Sequence, residues 1–335
     1  MKKRPNILMV ALLFVFALFL AACGNDGGEN GNADNNGEEP DFMNILTGGT
    51  SGTYYPLGGE MASVIEDETD IQADAVSSNA TADNIVDLSA GEAEIAMVQT
   101  DVMSDAVDGI NSFEDEEKVE NLQAIGSLYP ETIQIVTTED MDIDSIEDLE
   151  GKKVSMGAPG SGTYVNAEQI LDLYGISIDD IESSDLDFEE SIDDIQDGNI
   201  DAAFVTAGTP TGAVEELGAT EDVKLLTVDE DKADELIEEY PFYTKETIDA
   251  DTYDSIDDDV DTVAVLAMLA TRDDISEDTI YDVTKAIYEH TDEMSHDKAK
   301  QISTDTALEG IDIDVHPGAE KYFDEEGVEA DDEDE

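Results

Sequence analysis

Two glycine-rich turns hold the residues best suited to bind a small anionic group. The first runs Gly48-Gly49-Thr50-Ser51-Gly52-Thr53-Tyr54-Tyr55, and the second runs Gly157-Ala158-Pro159-Gly160-Ser161-Gly162-Thr163. Glycines let a ligand approach the backbone closely, and the free N–H groups at a helix start point toward an anion. The hydroxyls in either turn can instead cap the helix that follows, which is the stronger interpretation for one such turn alone. Two of these turns in one chain favour a shared ligand cleft.

Enzyme chemistry is not supported by the spacing of the reactive residues. Gly157 to Gly162 has the glycine spacing of a phosphate loop, but Thr163 stands where that motif requires lysine. Gly49 to Thr53 lacks the final glycine of a nucleophile elbow. The 3 histidines lack zinc-ligand spacing, and the aspartate-rich stretches miss the calcium-loop pattern. We therefore predict no enzyme, no cofactor and no metal site; an extracellular hydrolase or transferase is the less favoured alternative.

Short apolar runs alternate with helical patterns around both turns. Strands are predicted at Phe42–Leu46, Glu94–Val98, Leu122–Ile125, Ile133–Thr137, Lys153–Met156, Ala202–Val205 and Val263–Ala270. Helices are predicted from about Pro56 and at Ala80–Ser89, Thr163–Tyr174 and Glu277–Glu289. Alternation of this kind predicts an α/β fold with open, mainly parallel sheets. Both glycine-rich turns follow a strand, and ligands of such sheets bind beyond the carboxyl ends of strands.

The folded part of the chain is long for one hydrophobic core, so we predict two lobes. Lobe one comprises residues 41–137 plus 265–325, and lobe two comprises residues 138–264. The apolar segments Ile133–Thr137 and Val263–Ala270 would then be the two hinge crossings.

The N-terminal residues predict an extracytoplasmic location. Lys2, Lys3 and Arg4 precede an apolar run from Ile7 to Leu20, which is typical of a signal peptide over residues 1–22. Leu20-Ala21-Ala22-Cys23 resembles a bacterial lipobox, which implies lipidation of Cys23 and attachment to the outer face of the plasma membrane or in the periplasm. Residues 23–40 are almost entirely Gly, Asn, Asp and Glu, so we predict a disordered acidic tether.

The charge balance is strongly acidic, with 87 Asp and Glu against 14 Lys and Arg and a net charge of −73. Val, Ile, Leu and Ala recur in strand-length and helix-length groups, so the body is predicted to be folded despite this charge. A surface covered with carboxylates is the pattern of proteins from saline habitats, where salt screens self-repulsion. Nucleic acid is excluded as a partner on electrostatics. Residues 326–335 are predicted to form a solvated acidic tail.

Six sequence blocks, in order, resemble the TAXI family of solute receptors that serve tripartite ATP-independent (TRAP) transporters. The blocks are Gly48–Gly59, Asn84–Asp101, Leu128–Thr132, Asp148–Thr163, Gly198–Pro210 and His316–Ala319, within a resemblance that covers residues 42–323. The resemblance implies a two-lobed type II periplasmic-binding-protein fold, each lobe a mainly parallel sheet flanked by helices. It also implies a receptor that delivers a small solute to the membrane subunits of an ion-gradient-driven TRAP permease.

The same resemblance implies the ligand and its contacts. Suspected ligands of the family are glutamate, glutamine and small dicarboxylates. The contacts carried over by position are Thr50, Ser51, Gly52, Thr53, Tyr54, Tyr55, Ser78, Asn79, Gln99, Tyr129, Glu131, Ser161, Gly162, Thr163, Thr206, Ala207 and Gly208.

A guanidinium clamp for a ligand carboxylate is poorly supported, because Arg272 is the one arginine beyond the signal segment. We expect backbone N–H groups near Ser51–Thr53 and Ser161–Thr163 to hold a carboxylate instead. An amino group of the ligand would need Asp101 or Glu131 as its partner, and a surface or capping role for each acid stays open. The sequence is also compatible with a receptor for an ATP-driven importer or a sensor kinase, and with a surface adhesin.

Overall fold

The computed structural model describes residues 37–113 and 118–328. The predicted signal segment, Cys23, most of the predicted tether and residues 329–335 of the predicted tail lie outside the described residues. From residue 37 onward, the described chain forms one compact unit.

The elements alternate between strand and helix over most of the chain. The strands are β1 (Phe42–Leu46), β2 (Gln72–Val76), β3 (Ile95–Gln99), β4 (Leu122–Thr138), β5 (Lys153–Ser155), β6 (Glu182–Ser184), β7 (Ala202–Ala207), β8 (Val223–Leu226), β9 (Thr244–Ile248) and β10 (Val260–Arg272). The α-helices are α1 (Tyr54–Glu68), α2 (Thr81–Ser89), α3 (Thr100–Asp108), α4 (Gly162–Leu173), α5 (Phe188–Gln196), α6 (Gly212–Gly218), α7 (Glu230–Glu239), α8 (Glu277–Glu289) and α9 (Pro317–Glu326).

The strands form one 10-stranded mixed sheet in the order β2-β1-β3-β10-β4-β7-β5-β6, with β8 beside β4 and β9 beside β10. The pairing is parallel at both ends, where β1 joins β2 and β3 and where β5 joins β6 and β7. In the middle, β10 is antiparallel to β3, β4 and β9, and β4 is antiparallel to β7 and β8. The long strands β4 and β10 therefore link two parallel-stranded groups.

Apolar side chains pack between the sheet and its helices in four clusters. In the first half of the sheet (β2-β1-β3), one cluster lies under α1, α8 and α9 and another under α2 and α3. In the second half (β6-β5-β7), one lies under α4 and α7 and another under α5 and α6. Neighbouring residues enter opposite clusters, as Ile45 and Leu46 do on β1 and Ile135 and Val136 do on β4, because side chains alternate along a strand. The division into two lobes at the predicted residues stays a prediction.

The strand at 122–138 differs from the sequence-based expectation. We expected separate strands at Leu122–Ile125 and Ile133–Thr137, but they form the single strand β4, which continues through Gly126 and Pro130. β10 accompanies it along most of this length, with register shifts between Leu266 and Met268 and between Leu269 and Ala270. The irregular pairing lets one strand pass the proline without ending.

The two ends of the folded body extend further than the predicted boundaries. Glu38, which falls in the predicted tether, pairs with Arg272 at 3.0 Å between Glu38 Oε2 and Arg272 Nη2, and it forms a parallel bridge with Ile275. Glu326, the first residue of the predicted tail, is the last residue of α9, and Gly327 ends the helix in the left-handed conformation. None of the described helices has the length and apolar character needed to cross a membrane.

Candidate functional site

A cavity lies at the carboxyl ends of β1, β2, β3, β5, β6 and β7, where the loops that follow several of these strands meet. It holds about 610 Å³ of space between protein atoms, part of which is open to solvent. Its lining comes from Gly48, Gly49, Gly52, Thr53, Tyr54, Ser78, Asn79, Ala80, Thr81, Gln99, Glu131, Ala158, Ser161, Gly162, Thr163, Asp187, Phe188, Thr206 and Ala207. Both glycine-rich turns therefore contribute to one cavity, each at the carboxyl end of its strand.

Two helices start at the cavity wall. The first turn leads from β1 into α1, whose N-cap residue is Thr53, and the second leads from β5 into α4, whose N-cap residue is Ser161. The Ser161 hydroxyl accepts a hydrogen bond from the Tyr164 N–H at 3.2 Å, which is the capping role. The first N–H groups of a helix have no partner within the helix, so the starts of α1 and α4 offer donors and positive dipole ends to the cavity.

The loops of the two halves touch each other around the cavity. The Ala213 N–H donates to the Ser51 carbonyl at 3.1 Å, and the Thr53 hydroxyl donates to the Gly208 carbonyl at 3.3 Å. The Ala82 N–H donates to the Gly160 carbonyl at 3.0 Å. These contacts hold the loops of the first half of the sheet against those of the second half around the cavity.

Asn166 on α4 organises a buried polar network behind the cavity. Its Nδ2 donates to Asp101 Oδ2 at 2.9 Å and to the Tyr243 hydroxyl at 2.8 Å, and its Oδ1 accepts from Gln99 Nε2 at 3.0 Å. Gln99 and Asp101 belong to the first half, whereas Asn166 and Tyr243 belong to the second. Burial raises the pKa of Asp101 to about 6, although the Asn166 amide opposes this by stabilising the carboxylate. The network joins the two halves through neutral and acidic groups.

Two buried oxygen atoms of cavity residues have no hydrogen-bond partner within the described chain: Gln99 Oε1 and Thr206 Oγ1. Gln99 is 2% exposed and Thr206 is 5% exposed, so water in the bulk does not satisfy them. Gln99 Oε1 lies directly against Gly162, where a Cβ atom would overlap it. Buried polar atoms normally have a partner, so these two are candidates for contact with a ligand.

Glu131 on β4 is the buried acid of the cavity. It is 3% exposed, and the Tyr54 hydroxyl donates to its Oε2 at 2.7 Å. Burial raises the pKa of Glu131 to about 8, the hydrogen bond from Tyr54 opposes the increase, and nearby Asp101 adds to it. A carboxyl group in this position is largely protonated at neutral pH, when no cation is near it.

Two basic residues, Arg272 and Lys298, were possible partners for an anionic ligand, but neither belongs to the lining of this cavity. Arg272 donates to Asp274 at 2.9 Å and to the Ala93 carbonyl, far along β10 from the loops of the cavity. Lys298 lines a second cavity with Glu246 and Gln301, and its charge lowers the pKa of Glu131 without a direct ion pair. The lining residues of the first cavity are neutral apart from Glu131 and Asp187, so an anionic ligand group must rely on N–H and hydroxyl donors.

Most of the residues predicted to contact a ligand lie in this cavity. They are Gly52, Thr53, Tyr54, Ser78, Asn79, Gln99, Glu131, Ser161, Gly162, Thr163, Thr206 and Ala207. Outside its lining are Thr50, Ser51, Tyr55, Asp101, Tyr129 and Gly208. Of these, Tyr55 is 36% exposed on α1, Asp101 lies in the network behind the cavity, and Gly208 packs against Lys298.

Asp187 and Phe188 line the cavity but escaped the sequence-based prediction. Asp187 caps α5 by accepting from the Glu190 N–H at 2.8 Å, and the Phe188 ring packs beside Gly52. An aspartate followed by a glutamate three residues later is a helix-start signal, so this pattern marks a third loop and helix start. Phe188 adds an apolar ring to the cavity lining, whereas Tyr55, a predicted contact, lies outside it.

The fold defines the class of the protein. It is the α/β periplasmic-binding-protein fold that we predicted, although its sheet is mixed where we expected mainly parallel strands. The model of the NMT1-like family matches residues 45–327, so the chain belongs to the NMT1-like family.

Several solved structures match the chain at low sequence identity. A protein from Bordetella bronchiseptica RB50 matches with a TM-score of 0.54 and 14% identity, over 87% of this chain and 100% of that one. A putative L-cystine ABC transporter protein from Listeria monocytogenes matches with a TM-score of 0.48 and 13% identity, over 79% and 98%. The periplasmic aliphatic sulphonate binding protein SsuA from Escherichia coli matches with a TM-score of 0.39 and 18% identity, over 56% of this chain. That last match spans 60% of SsuA, which is less than two thirds of its length.

Proposed function

We propose that the protein is an extracytoplasmic receptor that captures a small solute and presents it to a membrane transporter. The observation that carries the proposal is the meeting of two glycine-rich helix starts, from opposite halves of the sheet, at one cavity. A ligand that contacts both halves stabilises the closed form in proportion to those contacts. The family and the fold support this function over an enzyme or an adhesin.

The ligand that we propose is a small carboxylate or amino acid. Its carboxylate would be held by the N–H groups at the starts of α1 and α4, with the hydroxyls of Thr53 and Thr163 nearby. Helix starts bind carboxylates without a cationic side chain, which suits a lining without arginine or lysine. The walls formed by Tyr54 and Phe188 would cover the apolar part of the ligand.

Two kinds of membrane transporter are candidates for the partner of this receptor. The resemblance of the sequence blocks favours a TRAP permease, whereas the similar structures from Listeria and Escherichia are named as an ABC transporter protein and a sulphonate-binding protein. An ATP-driven importer is therefore the better-backed candidate, and the TRAP permease is the second. Co-purification of the detergent-solubilised receptor with its permease, followed by assay for ATP hydrolysis, distinguishes the two. Lipid attachment at Cys23 would keep the receptor near either partner.

Replacement of Gly162 by alanine tests the cavity. The added Cβ would overlap Gln99 Oε1, so Gln99 must leave its hydrogen bond with Asn166 or crowd the ligand. A thermal-shift screen of amino acids and dicarboxylates in molar NaCl would first identify binding probes. Calorimetry should then show affinity reduced by about tenfold or more in Gly162→Ala, the equivalent of about 1.4 kcal/mol.

Gly59→Ala is the matched control. Gly59 lies within α1, and a Cβ there would have no atom within 4 Å. Alanine should raise stability by about 0.5–1 kcal/mol, because glycine is unfavourable inside a helix, and should leave affinity unchanged. Equal affinities of the Gly162→Ala and Gly59→Ala proteins would remove the second turn from the binding site. A screen without any stabilising probe would count against the receptor function itself.

A further inference from the structure

The lining of the cavity includes buried oxygen acceptors without a hydrogen-bond partner among the described residues. Asn166 fixes the orientation of the Gln99 amide: the Nδ2 of Asn166 faces Asp101 and Tyr243, so its Oδ1 must accept from Gln99 Nε2. Gln99 therefore turns Oε1, an acceptor, away from the network and against Gly162 at the cavity wall. A flipped Gln99 would set two amide oxygens against each other, which the network forbids.

Glu131 adds a charged acceptor to the same cavity. The titratable groups that face it are Tyr54 from α1, Tyr129 from β4, Asp101 from α3 and Lys298 from the 3₁₀ turn at Asp297–Gln301. Asp101 disfavours the charged form of Glu131 and Lys298 favours it, but burial is the largest influence. Lys298 forms no ion pair among the described residues and donates to Gln301 Oε1 at 3.3 Å, so it does not neutralise Glu131 by direct contact.

We propose that the part of the cavity lined by Gln99, Glu131 and Thr206 binds the protonated amine of the ligand, and that binding is coupled to release of a proton from Glu131. The inference rests on the proposed receptor function and makes its ligand class more specific. An ammonium group has three N–H donors and no acceptor, which matches the acceptors offered by Glu131, Gln99 Oε1 and Thr206 Oγ1. Asp101, the other acid considered for this role, lies behind the cavity and is held by Asn166.

The exchange involves no covalent change in the ligand. The amine enters as an ammonium ion, the Glu131 carboxyl loses its proton to the solvent, and an ion pair replaces the neutral acid. An ammonium beside a buried carboxylate stabilises the charged form, so the pKa of Glu131, about 8 in the empty protein, falls when the ligand binds. Near neutral pH, capture of one ligand should therefore release close to one proton.

The same arrangement sets specificity. A ligand with a second carboxylate beside these residues would place oxygen against Gln99 Oε1, which can only accept, and would find no cation there among the described lining residues. Such a ligand leaves this buried acceptor unsatisfied, which weakens binding. Amino acids should therefore bind more tightly than their counterparts without the amine.

Calorimetry with paired probes tests the inference. The probes are L-glutamine, L-glutamate and L-leucine, each compared with the analogue in which hydrogen replaces the α-amine (glutaramate, glutarate and isocaproate). Titrations in molar NaCl use two buffers of different ionisation enthalpy, so that the difference in heat counts the released protons. We expect at least one amine-bearing probe to bind about tenfold or more tightly than its analogue, with proton release that fades as the pH rises above about 8.

The variants Glu131→Gln and Asp105→Asn complete the test. Glutamine keeps the acceptor for Tyr54 but cannot ionise, so the release should disappear and the affinity should fall. Asp105 is another buried carboxyl with its pKa raised to about 6, on α3 and outside the cavity lining, so Asp105→Asn should keep the release. Melting temperatures of both proteins establish that they are folded.

The outcomes separate this inference from the receptor function. Equal binding of a probe and its analogue, or release that persists in Glu131→Gln, would overturn the ammonium site and leave the receptor standing. If none of the paired probes binds but another compound of the thermal-shift screen does, the ammonium site is contradicted and the receptor stands; if no compound binds, both proposals are contradicted.

Discussion

At the level of single residues, Glu131 should make the stability of the empty protein depend on pH. Its pKa is about 4.5 in an unfolded chain and about 8 in the fold, so folding favours the protonated form. The stabilisation is complete below pH 4.5 and is lost as the pH rises toward about 8. Glu131→Gln should therefore gain stability relative to the native protein as pH increases across this window, by an amount on the order of a few kcal/mol.

Chemical denaturation of both proteins at acidic and mildly basic pH, without ligand, measures this effect. The comparison cancels the repulsion among surface carboxylates, which also changes with pH. A stability difference that stays constant across the window would mean that Glu131 titrates normally and is not desolvated.

Residues of the site were predictable from sequence where they lie close together in the chain. The two glycine-rich turns were visible because each contains its own glycines, hydroxyls and helix start. The contact between Gln99 and Asn166 was not, because its partners lie 67 residues apart and meet only in the folded structure. Phe188 was missed for a similar reason: its place beside Gly52 depends on how α5 packs against the first turn.

At the level of elements, the start of α4 is a place where helix capping and ligand binding by one residue, Ser161, can be tested separately. Ser161 caps α4 by accepting from Tyr164 N–H, and Ser276 caps α8 by accepting from Thr279 N–H, both at 3.2 Å. Replacement of either serine by alanine removes the cap, so each should lower the free energy of unfolding by about 1 kcal/mol. Only Ser161 lines the cavity, so Ser161→Ala should also weaken binding of a probe found in the screen.

Denaturation and calorimetry on the same two variants make the comparison. Equal loss of stability together with unchanged affinity in Ser161→Ala would reduce Ser161 to a helix cap. A larger loss of affinity in Ser276→Ala than in Ser161→Ala would contradict the location of the binding site.

Elements with strong apolar patterns were predicted, and polar or interrupted ones were not. β9 (Thr244–Ile248) has the sequence TKETI and lies largely exposed beside β10, so its residues lack the alternation of a half-buried strand. β4 was divided in the prediction because Gly126 and Pro130 are usual strand breakers. Its pairing with β10 and β7 along both halves outweighs that local preference.

At the level of the whole molecule, sequence composition predicted the charge but not its arrangement. Two lysines each pair with two acids: Lys245 contacts Glu230 at 3.5 Å and Asp234 at 2.7 Å, and Lys321 contacts Glu277 at 3.3 Å and Asp278 at 3.5 Å. These lysines are substantially exposed, where ion pairs contribute little stability. With 87 acidic and 14 basic residues, most carboxylates have no basic side chain to pair with.

Salt should therefore stabilise the folded protein strongly. The Debye length falls from about 10 Å at 0.1 M salt to about 3 Å at 1 M, so repulsion among neighbouring carboxylates is screened over the shortest distances only at molar salt. We expect the melting temperature of the ligand-free protein to rise continuously with NaCl from low to molar concentration. Sucrose at matched osmolality, which stabilises proteins by exclusion from their surface and does not screen charge, should give a smaller increase. A melting temperature that responds equally to both solutes would show that charge repulsion does not limit stability, and the acidic surface would then need another explanation.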